Sequence, residues 1–116
     1  MITGSHFIVF STDAEADRAF FRDVLDLPFV DVGGGWLVFR APPSEVALHP
    51  SDHSGGGEFF LLTDDLVADM SRLEARGVHL SPVEEQCWGT VTKIGLPSGG
   101  ELGLYQPKHA SPPAWE

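Results

Sequence analysis

The sequence contains two copies of one pattern, 58 − 6 = 52 residues apart. Residues 6–13 are HFIVFSTD and residues 58–65 are EFFLLTDD, so each copy has a polar residue, an apolar run and polar residues that favour a helix start. A repeat of about 50 residues is typical of one supersecondary unit used twice. The repeat therefore places His6 and Glu58 at equivalent positions, each opening an apolar strand.

Hydrophobic periodicity predicts the order βαβββ in both copies. In the first copy the strands are predicted at 6–11, 30–32, 36–40 and 46–49, with a helix over 14–27 that a Thr12–Glu15 capping box begins. In the second copy they are predicted at 58–62, 78–80, 91–94 and 102–105, with a helix that is capped by Asp64 or Asp65 and carries Leu66, Met70 and Leu73. The expected fold is α+β, with the helices on one side of the strands.

The length fits a single domain, residues 1–116. Within it we expect a first module at about 5–50, a linker at 51–57, a second module at about 58–107 and a tail at 108–116. The net charge of −10 disfavours nucleic acid and anionic membranes and favours neutral or cationic ligands. The sequence has no apolar run of about 18 residues, so we expect no membrane span, and it shows no signal-peptide pattern. The single cysteine, Cys87, suits the reducing cytoplasm.

Four stretches carry a resemblance to a known family: His6 at the first strand, AFFRDVLDL at 19–27, LEARGV at 73–78 and LPSGGELGL at 96–104. With the tandem βαβββ pattern, the chain over about 5–107 resembles the vicinal oxygen chelate superfamily, which includes glyoxalase I, bleomycin resistance proteins and extradiol dioxygenases. The resemblance implies a curved, cup-like mixed sheet with helices outside, and a homodimer with pockets near the subunit interface.

The resemblance also implies where a metal would bind. The family's metal positions correspond here to His6, Ala47, Glu58 and Gly103, and metal-dependent relatives usually carry glutamate where this chain has Gly103. Alanine and glycine have no ligating side chain, whereas a catalytic site needs about three protein ligands. His6 and Glu58 remain as candidate ligands for Zn, Ni, Mn or Fe. A displaced site is also open, because strand alternation places His49 and Glu101 on the faces of Ala47 and Gly103.

Two function classes follow. The first is a small-molecule binding protein for a neutral or cationic organic ligand, with ligand-binding residues His6, Trp36, His49, Trp88, Gly103 and Tyr105. The second is a metal-dependent lyase, isomerase or dioxygenase, in which the carboxylate of Glu58 or Glu101 moves a proton.

Three structural interpretations stay open. His6 and Glu58 also suit polar strand starts, His49 suits an exposed histidine, and Trp36 and Trp88 suit core packing. Because Ala47 and Gly103 are small, the ligand hypothesis predicts open space in the middle of the cup.

Overall fold

The computed structural model describes residues 7, 9–44, 47, 50, 52, 58–110 and 113. Its elements, in chain order, are α1 (Ala14–Asp23), β1 (Phe29–Asp31), β2 (Leu37–Phe39), β3 (Phe60–Leu62), α2 (Leu66–Ala75), β4 (Glu84–Gln86), β5 (Gly89–Gly95) and β6 (Glu101–Pro107). This mixed α+β composition agrees with the predicted fold class. Within the described part of the chain, neither helix has the length and apolarity needed to cross a membrane.

The internal repeat is visible in the hydrogen bonds that begin the helices. At the start of α1, Ser11 Oγ donates to Asp17, Asp13 N donates to Ser11 Oγ, and Ala16 N donates to Asp13. The same three bonds recur 63 − 11 = 52 residues later at α2. There Thr63 Oγ1 donates to Asp69, Asp65 N donates to Thr63 Oγ1, and Ala68 N donates to Asp65. Each N-cap aspartate satisfies an N–H group of the first turn. The predicted Thr12 cap is wrong, because Asp13 caps α1 and the Thr12 hydroxyl donates instead to the Ser98 carbonyl.

Helix α1 is also shorter than predicted. It ends at Asp23, and Asp26 then adopts a φ of +57°. That left-handed conformation turns the chain before Pro28, so the apolar residues of 24–27 pack beyond the helix instead of extending it.

The second module forms a four-stranded sheet in the order β3-β6-β5-β4. Strand β3 pairs parallel with β6, and the other neighbours are antiparallel, so the first and last strands of the βαβββ unit lie side by side. The predicted strand at 78–80 is reduced to a single bridge between Leu80 and Ile94, and the sheet's outer strand is β4. Its sequence, Glu-Glu-Gln, is exposed and gives no apolar alternation from which to predict it.

The first module is less regular. Strands β1 and β2 form a two-stranded antiparallel sheet, whereas residues 7 and 9–11 are in no strand, so the strand predicted over 6–11 is wrong for them. A first strand needs its module's last strand as a hydrogen-bonding neighbour. In the region predicted for that last strand, Ala47 is in no strand and residues 46, 48 and 49 lie outside the described residues.

Both helices pack on one face of the four-stranded sheet. The core joins apolar side chains of α1 and α2 to those of β5, β6 and the turn between them: Phe20, Leu66, Leu73, Ile94, Leu96, Leu102 and Leu104. The buried Asp17 carboxylate accepts hydrogen bonds from the backbone N (3.2 Å) and hydroxyl (2.8 Å) of Ser98, so it ties α1 to the β5–β6 turn. Neither helix of the described part of the chain lies on the opposite sheet face, and we call it the helix-free face.

Candidate functional site

Strand alternation determines which residues reach the helix-free face. In β6, Leu102 and Leu104 are buried in the core, so Glu101, Gly103 and Tyr105 point the other way. The register pairs Gly103 with Phe60 of β3 and with Lys93 of β5, and places both on the helix-free face. Five residues of neighbouring strands thus share one surface.

Three aromatic rings form a cluster on this face, which we call the aromatic cluster: Phe60, Trp88 and Tyr105. Ring centroids lie 5.9 Å apart for Phe60 and Trp88, 5.6 Å for Phe60 and Tyr105, and 4.9 Å for Trp88 and Tyr105. All three pairs are edge-to-face, an arrangement in which the positive edge of one ring meets the negative face of another. Trp88 remains 39% exposed, so it presents apolar surface to solvent.

Two glycines let these rings lie close to the sheet. A Cβ at Gly103 would overlap the Phe60 ring, and one at Gly89 would lie 2.7 Å from Tyr105 Cδ2. A glycine inside a strand often marks such a close approach. The expected open space over Gly103 is therefore wrong, because the Phe60 ring fills it.

The turn that carries Trp88 is fixed by the chain just after β6. The backbone N of Lys108 donates to the Trp88 carbonyl at 2.9 Å, and Lys108 Nζ contacts Glu85 at 2.8 Å. Hydrogen bonds from Lys108 and from Thr90 hold the pKa of Glu85 below its usual value. Beside them, the Tyr105 hydroxyl lies 3.2 Å from His109 Nε2.

A groove of about 300 Å³ adjoins the aromatic cluster. Apolar and charged residues line it: Phe7, Val9, Phe10, Glu58, Phe59, Lys93, Glu101, Leu102 and Gly103. Lys93 and Gly103 connect the groove to the cluster, since Lys93 Nζ lies 4.9 Å from the Phe60 ring centroid and Gly103 lies beneath that ring. The described lining residues thus give the groove an apolar wall, one ammonium group and two exposed carboxylates.

The predicted site residues divide into three groups. Trp88 and Tyr105 meet in the aromatic cluster, and Glu58, Glu101 and Gly103 line the groove. Trp36 does not line this groove; it is 61% exposed near β2, with Arg18 Cζ 4.7 Å from its ring centroid. His6 and His49 lie outside the described residues.

The described residues do not fit a divalent metal. Among them, no three His, Cys, Asp or Glu side chains lie close enough together to hold a metal ion. Glu58 shares the groove with the Lys93 ammonium, whose positive charge would repel a dication. Gly103 is another of the metal positions that the family resemblance implied. The ring of Phe60 occupies the space in which a ligating side chain at Gly103 would lie.

A wider depression of about 570 Å³ lies elsewhere, at the ends of the two helices. Phe20, Val24 and His79 line it, and Glu101 is the one predicted site residue within the described ranges that lines it. Its arginine, Arg76, already contacts Asp26 at 3.0 Å and the Val24 carbonyl at 2.8 Å. The groove beside the aromatic cluster is therefore the better candidate for a binding site, because its ammonium group, Lys93, forms no ion pair with the described residues.

Two functional candidates were missing from the predicted binding residues. Phe60 lies in the strand predicted at 58–62 and Lys93 in the strand predicted at 91–94, but neither is among the predicted ligand-binding residues. The sequence feature that could have identified Lys93 is that it is a single cation inside the otherwise uncharged strand VTKIG at 91–95. It lies two residues from Val91, so the two side chains lie on the same face of the strand. The signal for Phe60 was its place opposite a glycine, which only the register reveals.

Comparison with solved structures identifies known proteins that have the same fold. No family model and no curated protein matches the chain. The structure of TnmS3, an antibiotic binding protein from Streptomyces sp. CB03234, is similar with a TM-score of 0.68 and 26% identity, covering 93% of this chain and 98% of that one. A glyoxalase/bleomycin resistance protein from the same organism gives 0.63 and 26%, covering 90% and 100%.

A third similar structure is lactoylglutathione lyase from Agrobacterium tumefaciens, with a TM-score of 0.63 and 18% identity over 91% of this chain and 92% of that one. These structures include a binding protein and an enzyme, so the shared architecture does not select between binding and catalysis. The chain has the vicinal oxygen chelate fold of the glyoxalase/bleomycin resistance protein/dioxygenase superfamily.

Proposed function

We propose that this protein binds a small aromatic organic molecule without transforming it. The observation that carries the proposal is the aromatic cluster, in which three rings on the helix-free face adjoin a groove of about 300 Å³. Ligand sites typically combine apolar and aromatic walls with a few polar groups that orient the ligand. The likeness to TnmS3, which is an antibiotic binding protein, supports the same class of function.

The charge of the groove narrows the ligand class that net charge alone suggested. Glu58 and Glu101 are exposed, so water and salt screen their carboxylates. Lys93 is half-buried between the groove and Phe60, where a charge is screened less. Its ammonium opposes a cationic group, and we therefore do not expect a cationic ligand in this groove.

Calorimetry with a simple aromatic probe tests the proposal. 2-Naphthylmethanol is neutral and has a flat surface that can contact Trp88 and Phe60. We expect saturable binding with a submillimolar Kd, equivalent to more than about 4 kcal/mol of binding free energy. If this alcohol and its charged analogues all give no saturable heat, the protein is not an aromatic binder.

The metal-dependent lyase, isomerase or dioxygenase is the competing hypothesis, and metal titration separates the two. For protein purified without an affinity tag, we expect no binding of Zn²⁺, Ni²⁺, Mn²⁺ or Fe²⁺ tighter than millimolar, because Gly103 and Ala47 supply no ligand. His6→Ala is the control. Tight binding that this variant abolishes would restore the metal-dependent reading, with His6 and Glu58 as ligands.

We also propose that two copies associate. The first module exposes large apolar side chains on β1 and beside it: Phe29 (47%), Val30 (57%) and Val32 (62%). An exposed apolar surface of this kind is typical of an interface. A second copy would cover this surface and give the irregular first module a neighbour, which agrees with the predicted homodimer.

Light scattering tests the association. At tens of micromolar we expect twice the mass of one chain, and we expect Val30→Asp to shift the protein toward the monomer because it places a charge in an apolar interface. Val67→Asp is the control, since Val67 is 77% exposed on α2 and does not belong to β1. A wild-type monomer, or equal loss of the dimer in both variants, contradicts the proposed interface.

The remaining proposals concern location and organisation. We place the protein in the cytoplasm, supported by its single cysteine, which is exposed and not in a disulfide. We keep one domain of two modules, at about 5–50 and 58–107, supported by the repeated helix caps.

A further inference from the structure

Lys93 is the one cation among the described residues that line the groove. It lies in β5, opposite Gly103 in the register, and its Nζ lies 4.9 Å from the centroid of Phe60. A cation over an aromatic face is held by the ring's negative surface, which positions the ammonium without consuming its N–H donors. The group is therefore fixed at the junction of the aromatic cluster and the groove.

This ammonium differs from most of the chain's other basic side chains, although Arg18, which lies over Trp36, and Arg40 also form no ion pair with the described residues. Acidic residues outnumber basic ones by 17 to 7, and four of the basic side chains form ion pairs: Arg22 with Asp23, Arg72 with Asp69, Arg76 with Asp26, and Lys108 with Glu85. Lys93 forms no ion pair with any residue in the described ranges, although Glu58 and Glu101 line the same groove. Its N–H donors are available to a ligand.

We infer that Lys93 makes the site selective for aromatic compounds that carry one carboxylate. The inference rests on the proposed binding function and adds the ligand's charge to it. The aromatic body lies against Trp88 and Phe60, and the carboxylate accepts hydrogen bonds from Lys93 Nζ. Charge-assisted bonds of this kind are about twice as strong as neutral ones.

The two glutamates limit the ligand to a single acidic group. Glu58 lies two residues before Phe60, Glu101 lies two residues before Gly103, and Phe60 pairs with Gly103 in parallel strands, so both glutamates lie at the same end of this strand pair and line the groove. Their carboxylates repel a second negative charge that extends past Lys93 into the groove.

Three probes with one aromatic body test this inference by calorimetry: 2-naphthoate, 2-naphthylmethanol and 2-naphthylmethylammonium. For the wild type we expect 2-naphthoate to bind about tenfold more tightly than the alcohol, and the ammonium compound to bind most weakly. The preference should decrease with added salt, because ionic screening weakens the attraction.

Substitutions at Lys93 assign the preference to its charge. In Lys93→Met the naphthoate should lose about tenfold in affinity while the alcohol changes little, and Lys93→Arg should keep the preference. Arg22→Met is the control, because it changes the net charge equally but removes a cation that already pairs with Asp23 on α1. If Arg22→Met also loses the preference for 2-naphthoate over the alcohol, the preference is an effect of the protein's net charge and not of Lys93.

The outcomes separate this inference from the proposed function. If the three probes bind equally well, or if the acid's advantage survives in Lys93→Met, the carboxylate inference is wrong and aromatic binding stands. If no probe binds, both are wrong. If the ammonium compound binds best, the glutamates govern the site and not Lys93.

Discussion

Trp88→Ala is expected to weaken 2-naphthoate binding about 30-fold, close to 2 kcal/mol, the usual effect of removing a central aromatic residue from a binding site. Trp88 contacts both other rings of the aromatic cluster and keeps 39% of its surface exposed. The substitution therefore removes the ligand's largest apolar contact and the support of Phe60 and Tyr105.

Trp36→Ala is the matched control, because it deletes the same side chain from a position at which Trp36 contacts Arg18 and does not line the groove. Calorimetry should give wild-type affinity for it, and circular dichroism should show that both variants are folded. If the two variants lose equal affinity, the site does not lie at the aromatic cluster.

Gly103→Ala is expected to lower the free energy of unfolding by about 1–3 kcal/mol, the range typical of overpacking. The new methyl group would overlap the ring of Phe60, which must move off the sheet. Because Phe60 holds Lys93 and contacts Trp88, naphthoate binding should weaken as well. Urea unfolding and calorimetry measure the two effects.

Gly100→Ala provides the comparison. A Cβ at Gly100 would make ordinary contacts, 3.5 Å from Ser98 Oγ and 3.7 Å from Leu96 Cδ1, so its stability should stay within about 0.5 kcal/mol of the wild type. Equal stability of the Gly103→Ala and Gly100→Ala proteins would show that Phe60 does not rest on Gly103.

Local sequence patterns predicted the second module well because its elements depend on local chemistry. Asp65 caps α2 and an apolar stripe follows it, so the helix is evident from the sequence. The alternation of Glu101, Gly103 and Tyr105 against buried Leu102 and Leu104 likewise follows from strand geometry. The 52-residue repeat was informative because equivalent residues make equivalent hydrogen bonds at both helix starts.

The parts that sequence could not predict depend on contacts between distant segments. Nothing local indicates that Phe60 rests on Gly103, 43 residues away (103 − 60), so the glycine was interpreted as a missing metal ligand and as open space. Strand β4 was missed because its residues, Glu-Glu-Gln, are polar and exposed and give no apolar alternation. The strand expected over 6–11 requires a partner strand that an apolar run cannot specify.

Amide shifts on ligand addition distinguish the aromatic cluster from the wider depression as the binding site. In a ¹⁵N-labelled sample titrated with 2-naphthoate, we predict that the largest shifts occur at the amides of Lys93 and Gly103 and at the Trp88 indole. Gly77 and Gly99 line the wider depression, and the chemical shifts of their amides should not change. Saturable shifts at Gly77 and Gly99 with none at Lys93, Gly103 or Trp88 would contradict the account, because they would place the ligand at the helix ends and not at the aromatic cluster.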